Sequence, residues 1–335
     1  MKHDLISILL PVYNATPFLT TCLESILNQS EKDWELIAID DFSTDDSFEI
    51  LQSFSKKNNR IKVFKNKAKG IIPALQLAFE KSQGNFITRM DADDLMPKGK
   101  LFLLKKNLLE KGKGYLSTGL VKYFSEGELG NGYQKYETWL NELSSANKNF
   151  EDIYKECVIP SPAWMCYRED LIRCGAFDSQ VYPEDYDLCF RFYEKNFIVI
   201  AVQEVVHLWR DHSSRTSRND EKYASQNYFE LKLPYFLKLH YNPSRPLEVW
   251  GAGNKGKQIV KMLLENNVEL TWVSNNEKKN GKDIYGIVVQ DFEEIKKIEA
   301  PQIIVTVAAP DDQAEILSFL KENNFQKMKD YFFFC

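Results

Sequence analysis

The sequence predicts an α/β fold, and three observations lead to that prediction. Short apolar runs of strand length alternate with segments of helical spacing through the N-terminal part of the chain. A second alternation follows "NPSRP" at 242–246, a stretch with the composition of a linker. The 335 residues suffice for two ordinary domains, and 44% of them are apolar. Such alternation is typical of a parallel sheet with helices on both faces.

The first domain is expected over residues 1–241. Its first four strands are predicted at "LISILLPVY", "WELIAID", "RIKVF" and "NFITRM", with helices between them. Ser43 is the expected N-cap of the second helix, because acids follow it in the first turn. Residues 115–150 show no regular pattern. The domain continues with a strand and helix start at 163–170, a helix at 183–196, strand-like runs at 197–210 and a helical extension from about 219.

The second domain is expected over residues 247–335, after the linker. Gly251, Gly253 and Gly256 form a GxGxxG after a strand and before a helix, the context of a dinucleotide fingerprint. The acid that binds a ribose at the end of the next strand is missing, and Ser274 stands there. We therefore expect a Rossmann-like module without redox chemistry. An NAD-dependent oxidoreductase remains an alternative, which titration with NADH would test.

Composition narrows the classes of function. The net charge of −5 argues against a dedicated nucleic-acid binder, which usually carries a basic excess. No apolar run reaches the roughly 18 residues of a membrane span, and Pro11 and Asn14 interrupt the first run, so we interpret it as a strand and not a signal peptide. The 6 cysteines are scattered without a CxxC pair, which favours reduced thiols in the cytoplasm over disulfides or zinc.

Polar and acidic residues follow several predicted strands at the point where each strand ends. Pro11, Tyr13 and Asn14 follow the first strand, Asp40 and Asp41 the second, and an acidic cluster follows the fourth. Ligands of parallel sheets gather at the carboxyl ends of the strands. We therefore expect these segments to converge at one edge of the sheet.

The acidic cluster after the fourth strand is Asp91, Asp93 and Asp94. Carboxylates two residues apart at a strand end suit a hard divalent cation such as Mg²⁺ or Mn²⁺. Mg²⁺ uses one or two protein carboxylates and leaves its other positions to phosphates and water. The alternative is an acidic turn that caps a helix beginning near Pro97.

Two further segments carry candidate chemistry. In "YPEDYDLCFRF", Asp185 is either the N-cap of a helix or a general base that removes the proton of a hydroxyl. In "HLWRDHSSRTS", His212 is a candidate metal ligand and Arg210 a candidate phosphate partner, and a solvated basic loop is the alternative. His207 is expected to be a packed structural histidine.

Five motifs occur along the chain in an order that is specific enough to indicate one protein family. They are "LLPVYN", "AIDDFSTDDS", "RMDADD", "PEDYDLCFR" and "LWRDHSSRTS". Over residues 4–218 the chain resembles the family 2 glycosyltransferases, which are nucleotide-sugar enzymes. The resemblance implies a GT-A fold with a mixed, mainly parallel sheet. With its C-terminal part the chain is similar to a bacterial subgroup that carries an additional Rossmann-like α/β domain.

The resemblance implies a nucleobase side of the donor site. Pro11 and Tyr13 would lie beside the base, which is uracil in most such enzymes, and Asp41 would form a hydrogen bond with it. Phe42 stands where the family usually has Gly. Arg89 precedes the acidic cluster as in a subset of the family, and we expect it to contact the donor.

The resemblance also implies a metal and a mechanism. Asp93 would bind Mn²⁺ or Mg²⁺ and bridge to the diphosphate, with Asp91 near the ribose and the metal. His212 would reach the same metal, and Arg210 would lie nearby. Asp185 would be the catalytic base. An acceptor hydroxyl would then displace the diphosphate in one step and invert the anomeric carbon.

The acceptor and the setting stay open at this stage. The family mostly builds surface polysaccharide, and a lipid-linked acceptor would bring a cytoplasmic enzyme to the inner membrane face. The segments "YETWLNEL", "PSPAWMCYR" and "VWGAGNKGKQ" also resemble vertebrate beta-1,3-N-acetylglucosaminyltransferase-like proteins, regarded as galactosyltransferases of queuosine in tRNA. A catalytically silent sensor of nucleotide sugars is a third alternative. The C-terminal "YFFFC" is expected to be a strand, with a homodimer contact as the alternative.

Overall fold

A computed structural model describes residues 2–125, 127, 130–213 and 228–335. The chain divides into two compact units. Of the described residues, 2–150 and 158–213 belong to the first unit, and 151–157 and 228–335 belong to the second. None of the helices in the described part of the chain combines the length and the apolar character needed to span a bilayer.

The first unit is built on a seven-stranded sheet in the order β3-β2-β1-β4-β6-β5-β7. The strands are β1 (Lys2–Val12), β2 (Trp34–Asp40), β3 (Ile61–Lys65), β4 (Gly84–Arg89), β5 (Tyr115–Phe124), β6 (Met165–Tyr167) and β7 (Ile198–Arg210). The short strand β6 pairs antiparallel with β4 and β5, and the other pairs are parallel. This confirms the predicted α/β class with a mixed, mainly parallel sheet.

In the part of the chain that the structure describes, seven helices accompany this sheet: α1 (Thr16–Leu27), α2 (Ser47–Lys57), α3 (Ile71–Lys81), α4 (Lys100–Lys111), α5 (Asn131–Ser145), α6 (Arg168–Arg173) and α7 (Glu184–Glu194). Helix α1 shows why they form, because Leu19, Cys22, Leu23 and Ile26 recur at helical spacing and are all buried. Every residue of β2 is buried, as expected for a central parallel strand covered on both faces.

Two predictions about local structure are wrong. Ser43 does not cap α2, which begins at Ser47; its hydroxyl instead accepts a hydrogen bond from the Asn14 amide at 3.1 Å. Residues 115–150 are not irregular, because β5 and α5 lie there. Strand β5 pairs with β7 along its whole length, and a partner so distant in sequence leaves no trace in the local pattern.

The second unit has a five-stranded parallel sheet in the order β12-β9-β8-β13-β14. Its strands are β8 (Leu247–Trp250), β9 (Thr271–Ser274), β12 (Gln290–Asp291), β13 (Gln302–Val305) and β14 (Tyr331–Phe333), with a small hairpin of β10 (Asp283–Ile284) and β11 (Ile287–Val288). Its helices are α8 (Phe229–Leu239), α9 (Asn254–Glu265) and α10 (Pro310–Glu322). The predicted C-terminal strand is confirmed, since β14 is buried.

The glycine motif of the second unit makes a tight turn between β8 and α9. Gly251 has a φ of 124°, and a Cβ there would lie 2.6 Å from Oγ1 of Thr306. A Cβ on Gly256 would lie 1.9 Å from the carbonyl oxygen of Gly251, which is an overlap. Two glycines of the motif are therefore required for packing of the turn, whatever ligand the unit binds.

Helix α8 groups with the second unit, whereas the sequence analysis placed it in the first domain. The ring of Phe236 on α8 lies 5.0 Å from that of Phe332 and 5.8 Å from that of Phe334. Tyr154 stacks on Phe334 at 5.2 Å, which holds 151–157 in the same unit. The extent of each functional domain stays a prediction.

Candidate active site

The strand ends of the first unit bring the predicted segments to one edge of the sheet. Val12 lies opposite Asp40 in the β1–β2 pair, and the Asp41 amide donates to the Val12 carbonyl at 2.7 Å. Arg89, at the end of β4, lies opposite Leu9 of β1. The polar residues that follow β1, β2 and β4 are therefore neighbours.

Asp41 is a buried carboxylate fixed by donors from the loop before α3. Each of its oxygens lies 2.9 Å from the Gly70 amide, and Oδ1 also accepts from Nδ2 of Asn66 at 2.7 Å. Tyr13 is half exposed, with the Lys69 ammonium 5.0 Å from the centre of its ring. Pro11 lies in β1, partly buried and opposite Ile39. A fixed hydrogen-bond acceptor and a half-exposed aromatic ring thus follow neighbouring strands.

The three acids after β4 have different surroundings. Oδ1 of Asp91 accepts from Nε of Arg89 at 3.2 Å, and Oδ2 of Asp93 lies 2.9 Å from Nε2 of His212. Their side chains are 26% and 29% exposed, whereas that of Asp94 is 1% exposed. None of them caps α4, whose N-cap is Gly99 without a side-chain hydrogen bond. The capping interpretation is therefore wrong, and two of the acids face the open edge.

Asp94 ties this acidic loop to strand β7. Its Oδ2 lies 2.8 Å from Nε2 of His207, and its Oδ1 accepts from the backbone amide of Arg210 at 2.7 Å. His207 is fully buried, which confirms that it is a structural histidine. Nε2 of His207 carries the proton when the Asp94 carboxylate is ionised, because an ionised carboxylate only accepts hydrogen bonds.

Arg210 and His212 belong to the same edge and not to a solvated loop. Nε of Arg210 donates to the carbonyl oxygen of Asp93 at 2.7 Å, and its guanidinium lies 5.0 Å from the ring centre of Phe18. The imidazole of His212 lies 4.4 Å from the same ring. Phe18 of α1 thus supports both side chains. The predicted segment after residue 213 lies outside the described residues.

Arg89 joins the acidic loop to the start of α7. Nη1 donates to Oε1 of Glu184 at 3.0 Å, and both side chains are less than a tenth exposed. Burial alone would lower the pKa of Arg89, but the carboxylates of Asp91, Glu184 and Asp185 raise it, so the guanidinium stays charged. A fixed cation therefore lies among the three acids.

Asp185 lies in the first turn of α7 and is not its N-cap, because the helix begins at Glu184 after Pro183. Its Oδ1 accepts from the amide of Tyr186 at 2.8 Å. Burial, reinforced by the charge of Glu184, raises the pKa of Asp185 to about 7, while Arg89 acts in the opposite direction. A carboxylate with that pKa is matched to general-base work near neutral pH.

Three residues at this edge received no individual role from the sequence: Asp94, Glu184 and Lys100. Lys100 is fully buried and donates to the Pro162 carbonyl. Burial lowers its pKa to about 8, against the effect of the nearby Asp91 and Asp94. The sequence does contain a signal for Glu184, because a second acid directly beside the candidate base needs an ion-pair partner such as Arg89. For Lys100 no signal existed, because a lysine at a helix start is ordinarily solvated.

The donors at this edge fit an open cation site. A carboxylate oxygen of Asp93 and a ring nitrogen of His212 are already in contact, with Asp91 following the same strand. Within the described ranges, no group of three His, Cys, Asp or Glu side chains is placed to hold a metal ion by itself. Mg²⁺ and Mn²⁺ suit such an arrangement, because substrate phosphates complete their coordination.

Two family models match the chain. One, described as "Glycosyl transferase family 2", covers residues 7–175, and one described as "C2185-like, N-terminal" covers 245–328. An uncharacterized glycosyltransferase of Rickettsia bellii is 31% identical over 185 residues, 55% of this chain and 25% of that protein. An uncharacterized glycosyltransferase of Haemophilus influenzae is 42% identical over 115 residues, 32% of this chain and 46% of that protein. This chain spans less than half the length of either relative.

Other similar proteins are covered over more of their length. The putative teichuronic acid biosynthesis glycosyltransferase TuaG of Bacillus subtilis is 27% identical over 240 residues, 70% of this chain and 91% of that protein. The mannosyltransferase PcManGT of Pyrobaculum calidifontis, in complex with GDP-Man and Mn²⁺, has a TM-score of 0.53 at 17% identity, over 71% of this chain and 64% of that one. S. aureus TarS 1-349, in complex with UDP-GlcNAc, has a TM-score of 0.52 at 17% identity, over 78% and 71%.

The likeness to these structures shows the fold, which is the expected GT-A type. The family match extends over half of the chain and contains the end of β1, all of β2 and β4, and the acidic loop. The chain therefore belongs to glycosyl transferase family 2.

Proposed function

We propose that this glycosyltransferase is metal dependent, takes its sugar from a UDP-sugar and inverts the anomeric carbon. One observation carries the proposal. The contact between Asp93 and His212 lies at the same sheet edge as the Arg89–Glu184 pair, which brings Asp185 beside the acidic loop. The proposed cation ligands and the proposed base are thus adjacent.

The donor is proposed to lie along the ends of β1, β2 and β4. Tyr13 and Pro11 would contact the nucleobase, and the fixed carboxylate of Asp41 would accept its N–H. Arg89 would contact the donor near the sugar, and Arg210 would face its phosphates. A GDP-mannose and Mn²⁺ complex and a UDP-GlcNAc complex of fold relatives support a nucleotide-sugar donor here.

Asp93, Asp91 and His212 are the residues proposed to hold Mn²⁺ or Mg²⁺. When bound, the ion would act as a Lewis acid that neutralises the diphosphate and stabilises it as a leaving group. Arg89 keeps its positive charge and forms ion pairs with both Asp91 and Glu184. These pairs hold the acidic loop next to the start of α7.

Asp185 is proposed to take the proton of the acceptor hydroxyl as that oxygen attacks the anomeric carbon. The hydroxyl approaches from the face opposite the diphosphate, forms the new C–O bond and breaks the sugar–phosphate bond in one displacement. The transition state has oxocarbenium character by analogy with glycoside hydrolysis. Since one base and no carboxylate nucleophile take part, the configuration inverts.

A glycan or lipid-linked acceptor of surface polysaccharide synthesis is the proposed partner, in the cytoplasm or at the inner membrane face. TuaG, named for teichuronic acid biosynthesis, supports this class of acceptor. Queuosine in tRNA and a silent sensor of nucleotide sugars stay as alternatives. A homodimer and a second unit without redox chemistry also stay predictions.

The test is a screen of UDP- and GDP-sugars for hydrolysis and transfer with Mn²⁺, with and without EDTA. We expect UDP-sugar turnover that EDTA abolishes and that Asp93→Ala and Asp185→Asn each lower at least 100-fold. Glu110→Gln is the matched control, an exposed carboxylate on α4 with a loose 3.9 Å ion pair.

The outcomes of this screen separate the alternatives. Full turnover in both variants would refute the assigned roles. UDP binding without hydrolysis or transfer to any acceptor would favour the silent sensor, and transfer to queuosine-containing tRNA alone would replace the glycan acceptor. In a separate titration, quenching of the protein's fluorescence by NADH would support the oxidoreductase alternative.

A further inference from the structure

Phe42 is a bulky residue held in a backbone conformation that favours glycine. It follows Asp41 directly, and its φ is 60°. In this left-handed region the Cβ crowds the backbone, so a bulky residue there is an outlier. Such outliers persist where the surrounding structure imposes them, and they cluster at ligand sites.

The loop imposes this conformation through hydrogen bonds on both sides of Phe42. The Asp41 amide donates to the Val12 carbonyl at 2.7 Å. The Asn14 amide donates to Oγ of Ser43 at 3.1 Å, and the Thr44 amide donates to Oδ1 of Asn14 at 2.8 Å. The chain is therefore tied to the end of β1 immediately before and after position 42.

Burial of the ring does not explain why a phenylalanine stands there. The side chain is 49% exposed, the same fraction as for Tyr13. Both residues leave neighbouring strand ends, since Val12 pairs with Asp40, and the fixed carboxylate of Asp41 lies in the same segment. Two half-exposed aromatic rings thus accompany one buried hydrogen-bond acceptor.

We infer that Phe42 contacts the nucleobase of the donor nucleotide and helps to select it, an inference that rests on the proposed function. A planar heterocycle over the ring removes apolar surface from water on both partners and gains a stacking contact. Asp41 supplies the polar contact to the same base. The diphosphate has no aromatic face, so Phe42 contributes to binding of the base and not of the phosphates.

The experiment measures the Kd of UDP and of inorganic pyrophosphate by calorimetry, both with Mn²⁺, on the full chain. Phe42→Gly suits the backbone conformation and removes the ring, and Phe42→Leu keeps an apolar side chain if the glycine variant does not fold. Phe102→Ala is the matched control, because Phe102 on α4 is 51% exposed. We expect Phe42→Gly to weaken UDP binding about tenfold, equivalent to about 1.4 kcal/mol, with the Kd of pyrophosphate unchanged.

Each other outcome overturns the inference in a recognisable way. If UDP binds both Phe42 variants as tightly as the wild type, the ring makes no contact with the base, and the proposed function stands. If UDP and pyrophosphate weaken equally, Phe42 acts through loop geometry alone. If the wild type does not bind UDP, the proposed donor site fails together with the inference.

Discussion

The neighbouring acids Asp93 and Asp94 differ in burial, because Asp93 is partly exposed and Asp94 is buried. This difference gives the sharpest prediction for the protein. Asp94→Ala should destabilise the first unit, whereas Asp93→Ala should leave stability nearly intact and remove activity. The Asp94 carboxylate makes two contacts, at 2.8 Å to His207 and at 2.7 Å to the Arg210 amide. Both side chains of the Asp94–His207 pair are at most 1% exposed.

The expected magnitude follows from those contacts. A hydrogen bond to a charged group contributes about 1.5–3 kcal/mol, and breaking a buried pair costs about 3–5 kcal/mol. Asp94→Ala should therefore lower the free energy of unfolding by about 3–5 kcal/mol. In a unit of this size that corresponds to a fall in Tm of roughly 10 °C. Asp93 is 29% exposed and solvent screens its contact with His212, so Asp93→Ala should cost less than about 1 kcal/mol.

The assay pairs urea unfolding, followed by circular dichroism, with turnover of the best UDP-sugar in the presence of Mn²⁺. Asp93→Ala should unfold like the wild type and lose at least 100-fold in turnover. Asp94→Ala should unfold at a markedly lower urea concentration. A wild-type unfolding curve for Asp94→Ala, or a loss of several kcal/mol for Asp93→Ala, would refute the assignment of one acid to structure and the other to the cation.

Three further predictions concern the base and the second unit. Asp185→Asn should lower kcat about 10²–10⁴-fold. Wild-type kcat/KM should rise with pH to a plateau above about pH 7, because the ionised form of Asp185 is the base. A kcat/KM that stays constant from about pH 5 to 9 would contradict this role. Burial raises the pKa of Glu248 to about 7, so the folded state keeps its proton longer than the unfolded state. The contribution of Glu248 to the free energy of unfolding should therefore fall by about 3 kcal/mol as pH rises from about 4.5 through 7. In Glu248→Gln the Tm should therefore depend less on pH across that range. Gly256→Ala, whose Cβ would overlap the Gly251 oxygen, should destabilise the second unit by at least about 2 kcal/mol in urea, whereas Gly253→Ala, at an open position, should not.

Much of the fold was predictable because its signals are local. Alternating apolar runs and helical spacing in the first hundred residues reflect a sheet buried on both faces, and β1 to β4 formed as predicted. The polar residues after those strands were predictable as one edge, because parallel strands share their carboxyl ends. The order of five motifs likewise indicated the family that the comparisons confirmed.

Other features depended on contacts between distant segments, which local periodicity does not report. Strand β6 enters antiparallel between β4 and β5, and β5 is recognisable as a strand only beside β7. The part of 115–150 that forms β5 looked irregular for that reason. The same limit applies to Ser43, which binds the Asn14 amide 29 residues away instead of capping its own helix.

The sequence by itself determined which chemical groups this protein carries at the ends of its strands, because those groups follow directly from the order of residues. Only the tertiary structure decided what each group does. Asp93 faces His212 and Asp94 is buried against His207, 119 and 113 residues away. Arg89 meets Glu184 across 95 residues. Burial and hydrogen-bond partners determine the charge state of each carboxylate and the stability lost when it is removed. Burial and partners exist only once the chain has folded.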